Sequence, residues 1–150
     1  MARRILFLDI DGVLNCNSTK EKITVPLGEF TGIDKKLLSR LLNWLGAHPE
    51  VEVVLSSTWR TDERFTDHLI EQGLSWVSVT PNFGHRGNEI KQWLSDNAKG
   101  SDVFIAILDD ISANMDPMRR FLVQTSDFSG GLKDKHLRMV EKLLGYEPSK

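Results

Sequence analysis

Asp9 and Asp11 stand one residue apart at the end of the unbroken apolar run Ile5-Leu6-Phe7-Leu8, and Gly12 follows them. In an extended segment residues i and i+2 point the same way, so both carboxylates can aim at one point beyond a strand while Gly12 lets the backbone turn away. Two like charges held this close favour a bound cation or a shared proton. A second acidic pair, Asp109-Asp110, follows Val103 to Leu108, the longest apolar run of the chain. Four carboxylates make an all-oxygen, strongly anionic donor set, which suits the hard ion Mg²⁺ and does not suit zinc. The expected metal ligands are therefore Asp9, Asp11, Asp109 and Asp110.

Hydroxyls and cations stand near other apolar runs: Ser56, Ser57, Thr58 and Arg60 follow Val51 to Leu55, and His85 and Arg86 precede a helical pattern. A metal with open positions, a hydroxyl and an arginine form a receptor for a tetrahedral phosphate. With Mg²⁺ and Arg86 neutralising the phosphate oxygens, one carboxylate can attack phosphorus in line and form an aspartyl-phosphate. Asp9 is the expected nucleophile. Asp11 is the expected general acid and base, protonating the leaving oxygen and then taking a proton from the hydrolytic water. Most of the rate gain would be electrostatic, since charge spread over three equatorial oxygens meets preplaced donors and metal.

Each of these groups has a plainer reading. Asp-x-Asp can be a turn whose side chains bond the backbone, and Ser57 and Thr58 can cap a helix. Arg60 can be a solvated surface charge as readily as a substrate contact, and Trp59, Trp93 and Phe83 are residue types that more often pack than carry a base.

The elements that must position these groups alternate. Ile5 to Leu8, Val51 to Leu55 and Val103 to Leu108 read as strands buried on both faces of a parallel sheet, with shorter strands at Trp76 to Val79 and Phe121 to Val123. Asp34 caps a helix carrying Leu37, Leu38, Leu41, Leu42 and Leu45, with Gly46 near its end. Thr61 opens a second helix that stops at Gly73. Ile90, Trp93 and Leu94 mark a third, and Leu137, Val140, Leu143 and Leu144 a fourth stopped by Gly145. Asn15 to Gly32 has no clear period and reads as a long loop or small flap. Strands alternating with helices imply right-handed crossovers and a three-layer α/β/α sandwich around a mostly parallel five-stranded sheet. Ligands of such sheets bind beyond the carboxyl ends of the strands, where the acids, hydroxyls and Arg86 fall.

The chain has 150 residues, 40% apolar and 27% charged, which is the size and balance of one globular domain. A formal net charge of −2 gives no global attraction to nucleic acid, so a polyanion would need a local cluster of Lys and Arg. The single cysteine, Cys16, cannot form an intrachain disulfide and makes a reducing compartment, the cytoplasm, the expected location, with no disulfide-linked partner. The first apolar run is far short of the roughly 20 residues of a spanning helix, so no membrane partner is expected.

The segment Phe7-Leu8-Asp9-Ile10-Asp11-Gly12-Val13-Leu14 resembles the D-x-D-G-[TV] signature of the haloacid dehalogenase-like (HAD) phosphatases. Val53-Val54-Leu55-Ser56 is similar to their second motif and Ile107-Leu108-Asp109-Asp110 to their fourth, so the likeness covers nearly the whole chain in order. It implies a HAD-like Rossmannoid fold and, residue by residue, a nucleophile at Asp9, an acid/base at Asp11, a phosphate binder at Ser56 and Mg²⁺ ligands at Asp109 and Asp110. The third motif usually carries a Lys at the start of the helix before the fourth strand. Here Arg86 takes that place in Arg86-Gly87-Asn88-Glu89-Ile90, with Lys91 one turn later as its rival. Arg can hold phosphate bidentately and Lys only as a point charge.

Substrate choice in that family often depends on an inserted cap, for which this chain has little room, since residues 15–32 could make a flap but not a folded cap. Capless members tend to act on large substrates, and the chain also resembles the short phosphatase domains of nucleic-acid end-repair enzymes. Leu55-Ser56-Ser57-Thr58-Trp59-Arg60 would add an aromatic that stacks a terminal base and a cation on a neighbouring phosphate. The expected activity is hydrolysis of a phosphomonoester on a large substrate such as a polynucleotide 3′-phosphate end. A free nucleotide or other small ester, with residues 15–32 as a lid, is the second reading. A non-enzymatic phosphate-binding module or phospho-accepting receiver is the third. A receiver would carry a Lys after its last strand, whereas Val123 leads into Gln124, Thr125 and Ser126. Oligomeric state is not legible in the sequence.

Overall fold

The computed structural model describes residues 2–147. In chain order its elements are β1 (Arg3–Leu8), β2 (Lys22–Val25), β3 (Gly28–Thr31), α1 (Lys35–Ala47), β4 (Val51–Leu55), α2 (Glu63–Glu71), β5 (Ser78–Val79), α3 (Arg86–Asn97), β6 (Val103–Asp109), β7 (Leu122–Gln124) and α4 (Asp134–Leu143). Five strands form one sheet in the order β5-β4-β1-β6-β7, with every neighbouring pair parallel. This is the three-layer α/β/α arrangement that the alternating pattern predicts.

The central strands are apolar throughout because both of their faces are covered. Leu6, Leu8, Val53, Leu55, Ala106 and Leu108 pack on one side under Leu38, Leu41 and Trp44 of α1, Leu69 of α2, and Leu137 and Val140 of α4. Ile5, Phe7, Val54, Ile105 and Ile107 pack on the other under Ile90 and Trp93 of α3, with Met115 and Met118 completing that layer. The Trp93 ring meets Phe7 edge-on at 5.6 Å.

Register decides where the chemistry can lie. Leu8 is level with Leu55 on one side and Leu108 on the other, so Asp9, Ser56 and Asp109 are the next residues in one row at the carboxyl edge. Backbone bonds continue the ladder there: Asp9 N–H donates to Leu108 O (2.9 Å), Ser56 N–H to Leu8 O (3.0 Å) and Thr125 N–H to Asp109 O (3.0 Å).

Several local boundaries differ from the sequence reading. The segment 15–32 contains the antiparallel hairpin β2–β3, with Ile23 level with Phe30, and forms no separate cap. The second helix begins at Glu63 rather than Thr61, because Ser57 first caps a 3₁₀ turn over Thr58–Thr61 and the Asp62 side chain then accepts from Arg64 N–H. Gly46 lies near the end of α1, as expected, while the strands read at Trp76 to Val79 and Phe121 to Val123 are Ser78–Val79 and Leu122–Gln124. Among the described residues no helix is long and apolar enough to cross a membrane.

Candidate active site

Asp9 is 6% and Asp109 1% exposed, and Asp110 is half-buried beside them. One carboxylate oxygen from each of Asp9, Asp109 and Asp110 lies within 4.8 Å of the others. Burial first, and the Asp109 charge second, hold the Asp9 carboxyl well above the usual carboxylate range. The same two causes, in the same order, push Asp110 up to about 6. Gly12 makes this approach possible: its φ of +79° favours glycine, and a Cβ there would run into the Asp110 side chain. The turn is fixed from two sides, by Gly12 N–H donating to Asn15 Oδ1 (2.9 Å) and Thr125 Oγ1 donating to Gly12 O (2.6 Å).

Arg86 supplies the facing positive charge. It is the first residue of α3, and its Nη1 lies 2.5 Å from Asp109 Oδ2 and 3.7 Å from Asp9 Oδ1. Gly87 lets the helix come this close: its N–H donates to Asn114 O (2.8 Å), and a Cβ would strike the backbone of Met115 and Asp116. His85 caps the helix by accepting from Asn88 N–H at Nδ1. Lys91, the rival cation, is exposed in a separate groove with Phe83, Asn88, Gln92 and Ser95. One guanidinium against three carboxylates leaves the cluster net negative, and its all-oxygen donors fit a hard divalent cation such as Mg²⁺.

Asp11 departs from the expectation that all four acids form one ligand group. Its exposed carboxylate is not one of the three clustered carboxylates; it accepts from Asn15 Nδ2 (3.0 Å) and Trp59 Nε1 (3.1 Å). Ser56 is fully buried, and its Oγ is the one buried side-chain polar atom among the described residues without a hydrogen-bond partner. An unmade bond of this kind costs about 1–3 kcal/mol, which leaves the Ser56 hydroxyl free to bond a ligand at the sheet edge.

The neighbours of Ser56 are held by the fold itself. Ser57 is the cap of the 3₁₀ turn, its Oγ accepting from Trp59 N–H (3.1 Å). Arg60 is neither a surface charge nor a free substrate donor, for its side chain is 3% exposed. Its Nε donates to Thr80 O, Nη1 to Ser56 O and Ser57 O, and Nη2 to Pro81 O and Glu89 Oε1. All five donors are committed, and Arg60 ties the end of β4 to the loop after β5. Trp59, 5% exposed, and Trp93, 3% exposed, are packed indoles rather than open base platforms.

Glu89 escaped the sequence reading. It is 3% exposed, and besides Arg60 its carboxylate accepts from Phe83 N–H (2.7 Å) and Gly84 N–H (3.0 Å), with Arg86 Nε 4.0 Å away. An acid one turn before Trp93 and beside Ile90, on the apolar face of α3, was the available signal.

Two clefts flank the acids. One, of about 350 Å³, is bordered by Arg86, Asp109, Asn82 and Asn114. The other, of about 420 Å³, lies between the hairpin and α2 and is lined by Asp11, Phe30, Trp59 and Phe65. Thr58 borders both. The arrangement can hold a divalent cation and a phosphoryl group beside a carboxylate nucleophile, with a second carboxylate open to a leaving group. A family model described as the HAD domain in Swiss Army Knife RNA repair proteins matches residues 5–137. No curated protein and no solved structure matches the chain.

Proposed function

Because the chain belongs to the family of HAD domains of Swiss Army Knife RNA repair proteins, we propose that it is a Mg²⁺-dependent phosphomonoesterase that removes a terminal phosphate, in particular a 3′-phosphate, from an RNA strand. The observation that carries this reading is the meeting at one sheet edge of Asp9, Asp109 and Asp110 with Arg86 and the unpartnered Ser56 hydroxyl.

Asp9, Asp109 and Asp110 would hold the ion, which when bound supplies charge neutralisation to the phosphoryl oxygens. Asp9 attacks phosphorus in line; its oxygen–phosphorus bond forms as the bond to the ester oxygen breaks. Arg86 and the Ser56 hydroxyl donate to the equatorial oxygens, where the transition-state charge lies. Asp11, held by Trp59 and Asn15, protonates the departing oxygen. It then takes a proton from the water that attacks phosphorus, which breaks the acyl-phosphate and frees phosphate and Asp9.

The test is phosphate release, with and without Mg²⁺, from an aryl phosphate, from mononucleotides and from 3′- and 5′-phosphorylated RNA, for the wild type and Asp9→Asn. The reading predicts metal-dependent release that favours the RNA 3′ end and is abolished in Asp9→Asn. Preference for mononucleotides would move the substrate to a small ester. No release from any substrate would leave a phosphate-binding module.

A further inference from the structure

We propose that the cleft between the β2–β3 hairpin and α2 receives the nucleoside at the phosphorylated end of the RNA, with its base laid on Phe30. The inference rests on the phosphatase reading of the same site and names what lies on the leaving-group side.

Direction comes first. The leaving oxygen must depart towards the group that protonates it, and Asp11 borders the hairpin cleft and is absent from the walls of the Arg86 cleft. The phosphoryl group therefore sits with Arg86 and Asp109, and the rest of the substrate extends under the hairpin. At about 420 Å³ the cleft is large enough for one nucleoside.

Its wall is aromatic. Trp59, which bonds Asp11, lies 5.0 Å from Phe65 between ring centroids, and Phe65 lies 5.4 Å from Phe30. The inner rings are covered, Trp59 fully and Phe65 in part, while Phe30 is 45% exposed. A contiguous aromatic run whose outermost ring is bare offers a stacking surface to any base. Asp11 and Asp62 make the cleft anionic, which favours an uncharged sugar and base there over a second phosphate.

Phe30 also packs edge-on against Phe65, so its loss could loosen the hairpin, and the test separates the two roles. Phosphate release is measured from 3′-phosphorylated RNA ending in adenosine and from the same RNA ending in an abasic ribose, for the wild type, Phe30→Ala and Phe30→Trp. Stacking predicts a loss of kcat/KM on the order of tenfold in Phe30→Ala on the adenosine end, little change on the abasic end, and recovery in Phe30→Trp. In the Asp9→Asn background, a terminal 2-aminopurine should lose fluorescence on binding, and adding Phe30→Ala should restore it. Equal losses on both ends, or no loss on either, would overturn the base subsite and leave the phosphatase standing. Wild-type protein that releases phosphate from neither RNA would overturn the phosphatase reading and the subsite with it.

Discussion

Replacing Glu89 with alanine removes the acceptor for Phe83 N–H, Gly84 N–H and Arg60 Nη2 at once. The ion pair is interior, with side chains 3% and 5% exposed for Arg60 and Glu89. Burial pulls the Arg60 guanidinium below its ordinary pKa, and the Glu89 charge is the largest influence opposing it. Removing one partner of a buried pair costs about 3–5 kcal/mol, because the other charge is left uncompensated. Arg60 keeps four carbonyl acceptors, on Ser56, Ser57, Thr80 and Pro81, which places the cost at the lower end, about 3 kcal/mol. With a urea slope of about 2 kcal/mol/M, the unfolding midpoint should fall by about 1.5 M. The double variant Arg60→Met/Glu89→Leu should be less destabilised than the sum of its single variants by at least about 1 kcal/mol. A midpoint shift below about 0.5 M, or additive effects in the double variant, would refute the strut formed by Arg60 and Glu89.

Two further outcomes follow from the acids. Asp110 is raised from 3.8 to about 6, so its stabilising protonated state is fully present below the unfolded value and is lost as pH rises through about 6. In metal-free protein Asp110→Asn should raise the unfolding free energy at about pH 8 by roughly 1 kcal/mol after discounting for its partial exposure, seen as a higher melting temperature, and gain little at about pH 4. Equal gains at both pH values, or none, would contradict the crowding of the three acids. Trp59→Phe keeps the aromatic wall and removes the donor that orients Asp11. It should lower kcat/KM on RNA ends by about tenfold and leave kcat/KM for an activated aryl phosphate, whose leaving group needs no proton during transfer to Asp9, almost intact. Equal loss on both substrates would mean that the indole N–H does not act through Asp11.

The sheet was readable because β1, β4 and β6 are covered on both faces and so are apolar without alternation. Their common register is what makes the residue after each run meaningful: Asp9, Ser56 and Asp109 fall in one row. Arg86 was readable as the cation opening a helix at that edge, and the structure brings it rather than Lys91 to the acids. The role of Arg60 was hidden because four of its five bonds go to backbone carbonyls, which carry no side-chain signature. The direction of Asp11 was hidden for a related reason. An i, i+2 pair aims together only while the segment stays extended, and here the chain turns at Asp11-Gly12, where Asn15 and Trp59 take the second carboxylate. The hairpin was seen only as a flap because four-residue strands give too short an alternation to read.

The central claim is that Asp9 carries the phosphoryl group. The direct measurement is to quench the enzyme during turnover of a 3′-phosphorylated RNA, reduce any acyl-phosphate with borohydride, and identify the modified peptide by mass spectrometry. The account predicts homoserine in place of Asp9, formed only with Mg²⁺ and substrate. Sustained phosphate release with Asp9 unmodified, or with another carboxylate reduced instead, would contradict it.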